Sequence, residues 1–269
     1  MALINFDEYV EKLSENRIAD FQMSASAGRS QRLAGAWRSF VPAPVIPTTS
    51  VVLNKNSDVS IAPIPEVGAG MLTFLGARLN SSFGFGGAVI LVDLLNANGG
   101  LSGIVATEQT TNLPTAALTR YTSGEGVMIG VFLHATIGNT ATTLTVKYTN
   151  SSGVANRIST STTFGGGGVN AAGTLVLIPL QTGDTGVRSV ESITLAGTTG
   201  TAGNIGVYLM KFLAMLSLDS TTSVGVLDAV STGGIINSFC EIQPEACISI
   251  AIVNGSAQSI NGAIILAEV

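Results

Sequence analysis

Residues 175–218 read LVLIPLQTGDTGVRSVESITLAGTTGTAGNIGVYLMKFLAMLSL, and that texture restricts what the chain can fold into. The apolar runs are short and rich in Val, Ile and Leu. Clusters of Gly, Thr, Asp and Asn part them, as turns part antiparallel strands. No helix of ordinary length fits. Residues 175–180 are apolar enough to be buried on both faces, whereas Ile193 and Leu195 alternate with small polar residues as a half-solvated strand does.

The same texture extends over most of the chain. Strands are expected at 51–53, 59–64, 72–79, 88–95, 104–107, 128–135 and 144–149. In the last of these Leu144, Val146 and Tyr148 alternate with Thr145, Lys147 and Thr149, one buried face against one wet face. Ser151-Ser152-Gly153 then turns the chain into a partner strand that runs through Ile158. Asn98-Gly99-Gly100 tolerates positive φ and allows another reversal. The tetraglycine Gly165-Gly166-Gly167-Gly168 reads as a flexible joint. Residues 247–253 and 260–269 read as a hairpin around Asn254-Gly255. A dozen or so strands without intervening helices predict an all-β body, a sandwich of jelly-roll type.

The head of the chain differs. Residues 1–40 hold ten of the 29 charged residues. Residues 4–22 predict an amphipathic helix: Asn5 caps, Asp7 and Glu8 suit the helix dipole, and Phe6, Val10 and Leu13 recur at helical spacing, continued by Ile18 and Phe21. RSQRLAGAWRSF follows (residues 29–40), with Arg29, Arg32 and Trp37. Trp37 either packs on its own domain or anchors a partner, since Trp and Arg dominate interface energetics. VPAPVIP (residues 41–47) holds the backbone extended. The expected division is therefore a helical arm with a Pro-rich connector over 1–48 and a β body over 49–269. Phe6, Val10, Leu13, Arg29, Arg32 and Trp37 are the candidate partner-binding residues.

Only 11% of residues are charged, against about 25% in average proteins. With 46% apolar residues, disorder is excluded. An exterior built of Ser, Thr, Ala and Gly is a solubility liability unless partner subunits cover it. The net charge of −5 and the absence of a Lys/Arg cluster argue against nucleic-acid binding. The N-terminus lacks a secretory signal pattern, and the uncharged run 246–267 is broken by Asn254, Gly255, Gln258 and Asn261, so neither export nor a membrane span is expected. Synthesis in a cytosol is the simplest reading.

No motif points firmly to chemistry. Asp184-Thr185-Gly186 matches the aspartic-protease tripeptide but follows polar residues rather than an apolar strand, and a turn is the preferred reading. His134 is the single histidine. It lies in an apolar run, and no G-x-S-x-G elbow accompanies it. Gly84-Phe85-Gly86-Gly87 lacks the Lys and Ser/Thr of a phosphate loop. Asp93, Glu108 and Glu125 would bind calcium only if they converged, and no calcium-loop pattern supports that. Cys240 and Cys247, with one histidine, do not complete a zinc site; they are buried thiols or a local disulfide. Asn80, Asn150 and Asn254 begin sequons that have no meaning outside a secretory route. No metal, cofactor or enzymatic activity is expected.

Three segments carry a family resemblance: QTGDTGVRSVESITL (181–195), GTAGNIGV (200–207) and NANGGLSGIVATEQT (96–110). They resemble segments of tailed-bacteriophage decoration, or cement, proteins, and the similarity runs through roughly residues 30–269. The resemblance implies a virion protein on the outside of a phage head that clamps the major capsid protein lattice as a homotrimer. A carbohydrate-binding or adhesin module is the alternative, for which one Trp and few aromatics offer little stacking surface.

Overall fold

The computed structural model describes residues 17–25, 32–34, 49–57, 59–60, 72–81, 87–218, 224–228, 241–253 and 258–268. Sixteen strands and no helix run through these residues. They are β1 (Arg17–Ala25), β2 (Arg32–Ala34), β3 (Val51–Val52), β4 (Leu72–Ser81), β5 (Gly87–Ala97), β6 (Val127–Ala135), β7 (Thr142–Asn150) and β8 (Arg157–Ile158). There follow β9 (Thr162–Phe164), β10 (Leu175–Ile178), β11 (Val187–Leu195), β12 (Asn204–Leu218), β13 (Val224–Asp228), β14 (Glu241–Ile242), β15 (Ile248–Val253) and β16 (Gln258–Glu268). All pair antiparallel. A jelly roll divides eight strands between two sheets. Here the order is β10-β6-β12-β5-β15-β2 with β3 on β5, β11-β7-β8 with β9 on β7, and β1-β16-β4-β13 with β14 on β4.

The first two of these sheets form a sandwich. Ile129, Val131 and Leu133 of β6 and Ile205, Val207 and Leu209 of β12 pack against Leu144, Val146 and Tyr148 of β7 and Val190, Ile193 and Leu195 of β11. The opposite face of the seven-stranded sheet is covered too: Val92, Leu94, Phe132, Tyr208 and Met210 pack with Leu53 and Cys247 from flanking loops. Burial on both faces explains the near-continuous apolar runs of β6, of β5 over residues 91–97 and of β12 over Ile205–Met210, a pattern more usual in parallel sheets. At about 25 cal/mol per Å², each such Leu, Ile or Val side chain contributes about 1.5–3 kcal/mol of transfer free energy.

Several expectations hold. Strand β7 has the alternation its sequence shows, with Leu144, Val146 and Tyr148 fully buried. Strand β8 returns beside it after the Ser151-Ser152-Gly153 turn. Strand β10 is buried on both faces.

Others are corrected. Residues 17–22, placed in the helix, form part of β1, whose nine-residue register against β16 hydrogen-bonds the backbone along a sheet edge. Such pairing overrides a weak local periodicity. Residues 1–16, where the rest of that helix lies, are outside the described residues. Residues 104–107 are not a strand. Gln109 folds that loop on itself, accepting from Ser102 N at 2.8 Å and donating to Ser102 O at 2.9 Å. The C-terminal hairpin is absent as well: β15 pairs with β5 and β2, whereas β16 pairs with β1 and β4. Asn254-Gly255 itself lies outside the described residues. The tetraglycine is a tight, packed turn rather than a joint. Gly165 has φ +68° and bridges to Val169, and a Cβ on it would overlap Thr140 O.

Candidate functional site

The richest polar cluster lies where β8 and the end of β7 meet the loop before β11. Gly183 has φ +92° and Asp184 N donates to Gln181 O at 3.0 Å, so the Gly-Asp-Thr-Gly segment is a turn, as its sequence suggests. That turn carries the Asp184 carboxylate inward, where its side chain is only 4% exposed. Three groups donate to it: Arg157 Nε at 2.9 Å, the Tyr148 hydroxyl at 2.6 Å and Asn150 Nδ2 at 2.7 Å. The Arg157 bond above all, with those of Tyr148 and Asn150, holds the Asp184 carboxyl at about 2 against an ordinary 3.8. Burial, and then the bond to Asp184, push the Tyr148 phenol up to about 12. Asp184 has Arg157, Tyr148 and Asn150 as its described partners, and none of them is a second carboxylate. Its chemical consequence is positional: it fixes the Arg157 guanidinium.

Beside this cluster runs an open groove of about 510 Å³, lined on one side by residues 154–160 and on the other by Gln181 and Thr182. Its volume lies within the range of small-ligand clefts. Val154 and Ile158 stand at its rim, 51% and 47% exposed. Asn156 adopts φ +59°, a left-handed conformation that Asn tolerates better than most residues. Asn150, the sequon residue, is turned into the fold, donating to Asp184 and accepting from Val154 N at 2.8 Å.

A second polar centre lies within the seven-stranded sheet. Asp93 on β5 and Arg120 form a bidentate pair, with Nε–Oδ2 at 2.9 Å and Nη2–Oδ1 at 2.8 Å. Arg120 also donates to Leu53 O and Leu94 O, and Cys247 N donates to Asp93 Oδ1. Burial pushes the Asp93 carboxyl up, and Arg120 pulls against it. The pair ties β5, the 98–126 connection and the loop between β14 and β15 together.

The remaining candidates are equally committed. Glu108 bonds Lys147 and Ser192, and Glu125 accepts from Thr185, so these two and Asp93 do not converge on a calcium site. Among the described residues no group of acids, His and Cys is placed to hold a metal. His134 sits against Phe132 and Tyr208 with Nε2 3.3 Å from Asn98 O, and burial lowers its pKa. Cys247 is a free buried thiol, its pKa raised by burial; Cys240 lies outside the described residues.

Of the residues expected to bind a partner, Phe6, Val10, Leu13, Arg29 and Trp37 lie outside the described residues. Arg32 falls in β2, opposite Ile252 of β15. Arg32 is thus the one of the six that lies among the described residues. The Arg157–Asp184 pair was missed, although an acid inside a turn and an arginine in the hairpin two strands away are both visible in the sequence.

No family profile matches the chain, and no curated protein does. Among solved structures, that of infectious bursal disease virus Gx strain aligns at 9% identity over 94% of this chain and 79% of that one, with a TM-score of 0.20. A mutant VP2 protein of the same virus in T=1 particles aligns at 8% identity over 94% and 78%, with a TM-score of 0.21. The infectious bursal disease virus VP2 subviral particle aligns at 9% identity over 100% and 83%, with a TM-score of 0.19. Likeness of that order does not amount to a shared fold and says nothing of what this chain does.

Proposed function

We propose that the chain is a non-enzymatic structural protein of a tailed-phage head, a decoration subunit that binds the outer surface of the major capsid protein lattice as a homotrimer. One observation carries the reading: the three segments that resemble such proteins form one packed unit. Leu101 bridges Ile205, and Gln109 bridges Ile193. Gly103 N donates to Ala202 O at 2.7 Å, and Val207 N donates to Asn98 Oδ1 at 2.6 Å. Segments spread over the sequence but contiguous in space make one structural unit of the sandwich, which is what a structural subunit needs.

The titratable side chains agree with this role, since Asp93, Arg120, Glu108, Lys147, Arg157 and Asp184 each hold the fold together. Exposed apolar residues such as Ile104, Phe212 and Met215 would be covered by neighbours in an assembly. Many moderate contacts engaged at once add up through multivalency. Phe6, Val10 and Leu13 are the proposed anchors of the N-terminal arm. The test compares DNA release on heating for particles with the protein, stripped of it, and with it added back. Stripped particles should release DNA at a lower temperature. If they hold it equally well the reading falls, and display in a few tail-associated copies would favour an adhesin instead.

A further inference from the structure

We propose that the groove beside β8 receives an extended peptide segment bearing an acidic side chain, which pairs with the β8 edge and places its carboxylate on Arg157. The proposal deepens the structural reading by naming where the body holds a partner, and its test involves no particle.

Strand β8 is an edge of its sheet. Ser159 N donates to Val146 O at 2.9 Å, and Ile158 stands opposite Lys147. In an antiparallel ladder that makes Ile158 a non-hydrogen-bonded position, so its own N–H and C=O point away from β7. Among the described residues no hydrogen bond reaches either group. The next outward donor, Thr160 N, is taken by Pro179 O at 3.0 Å, so the open stretch is Ile158 itself, whose outward donor and acceptor can pair with an added strand, one of the ways a sheet takes up a peptide.

Side-chain chemistry selects the peptide. Asp184 takes Arg157 through Nε, Tyr148 also interacts with the guanidinium, and the Arg157 side chain, 27% exposed, is part of the groove lining. Tyr148 and Asn150 hold Asp184 in turn, so the guanidinium is oriented before anything binds. A fixed two-nitrogen fork matches a carboxylate better than it matches a neutral amide. Val154 and Ile158 offer apolar contact to residues next to the acid in sequence. Gln181 and Thr182 face them as neutral hydrogen-bonding groups.

The test uses the full chain and an array of capped pentapeptides, alternating Val and Thr around a central Glu, Asp, Gln or Lys, with binding followed by backbone amide NMR shifts. Acidic peptides should bind about tenfold more tightly than the Gln peptide, in keeping with one charge-assisted contact, and should shift the Ile158 amide. Arg157→Lys, which retains charge but loses the fork, should erase most of that ratio. Because changes at Arg157 disturb Asp184, Ile158→Pro serves as a second variant: it removes the outward N–H and should abolish binding while the β11 and β12 amides stay unshifted. Equal binding of the Glu and Gln peptides, shifts confined to another surface, no binding by any peptide, or binding of free glucuronate in place of peptides would overturn the proposal. Loss of particle stabilisation with peptide binding intact would instead fault the decoration role alone.

Discussion

Asp93 and Arg120, 27 positions apart in sequence, meet as a bidentate ion pair whose side chains are 0% and 4% exposed. Every oxygen and most donors of the pair are engaged, by Leu53 O, Leu94 O and Cys247 N. Such a pair is tolerated when whole and costly when halved. Arg120→Met should destabilise the fold by about 3–5 kcal/mol, since it leaves a buried carboxylate unpaired. The double replacement Asp93→Leu with Arg120→Met should recover part of that loss. Urea unfolding of the two singles and the double measures the coupling; additive losses would refute it.

The pair at Asp184 predicts a pH dependence. Its carboxyl titrates at about 2 in the fold against an ordinary 3.8. A depressed carboxyl contributes stability that is complete above the ordinary value and is lost as pH falls through the folded value. Asp184→Asn should therefore be less stable than the native chain at neutral pH, and the gap should narrow between 3.8 and about 2. Chemical denaturation across that range checks it; a gap that does not change with pH would be the contrary result.

Two glycines sit where a side chain has no room. Gly165 has φ +68° against Thr140 O, and a Cβ on Gly206 would overlap Asn98 O. Gly165→Ala should cost about 1–2 kcal/mol from the left-handed backbone alone, and more from the overlap. Gly206→Ala should lower the thermal midpoint with no change of φ involved. Melting curves that superpose on the native one would contradict both.

Deleting residues 1–40 is expected to do more than remove an arm. It strips β1 from β16 and β2 from β15, uncovering two sheet edges. Exposed edges promote association. The truncated chain should melt earlier and aggregate more than a chain that lacks residues 1–16 alone and so keeps β1 and β2. Light scattering during a thermal ramp separates the two truncations.

Cys247 should resist alkylation in the folded protein, because burial both hides the thiol and raises its pKa. Peptide mapping after iodoacetamide treatment should find it unlabelled in native buffer and labelled in urea. Native labelling would show that the 242–247 loop opens.

Much of the body was legible because its strands are long and strongly patterned. The alternation in β7 is visible residue by residue, and the runs of β6 and of the first half of β12 declare burial on both faces. What the sequence hid was partnership. The Asn254-Gly255 signal says that the chain turns, but not that β15 and β16 join different sheets. Ile18 and Phe21 sit three apart and fit a helix face as well as they fit a strand; only the β16 register decides. A clearer reading was available at Asp93, since a lone acid in GAVILVDLLNA demands a buried cation, though not which one. Arg157 carried no such signal: an arginine after a turn is ordinary until Asp184 stands beside it.

Strand β12 is hydrogen-bonded to β6 along Asn204–Lys211 and to β5 along Tyr208–Leu218, with both neighbours engaged over the four residues they share. It is a lap joint. Tension that tries to slide β5 past β6 loads both ladders in shear, so their bonds have to fail together rather than peel away one at a time. Resistance to stretching is thereby placed in the middle of the sheet, far from either edge where another chain would attach.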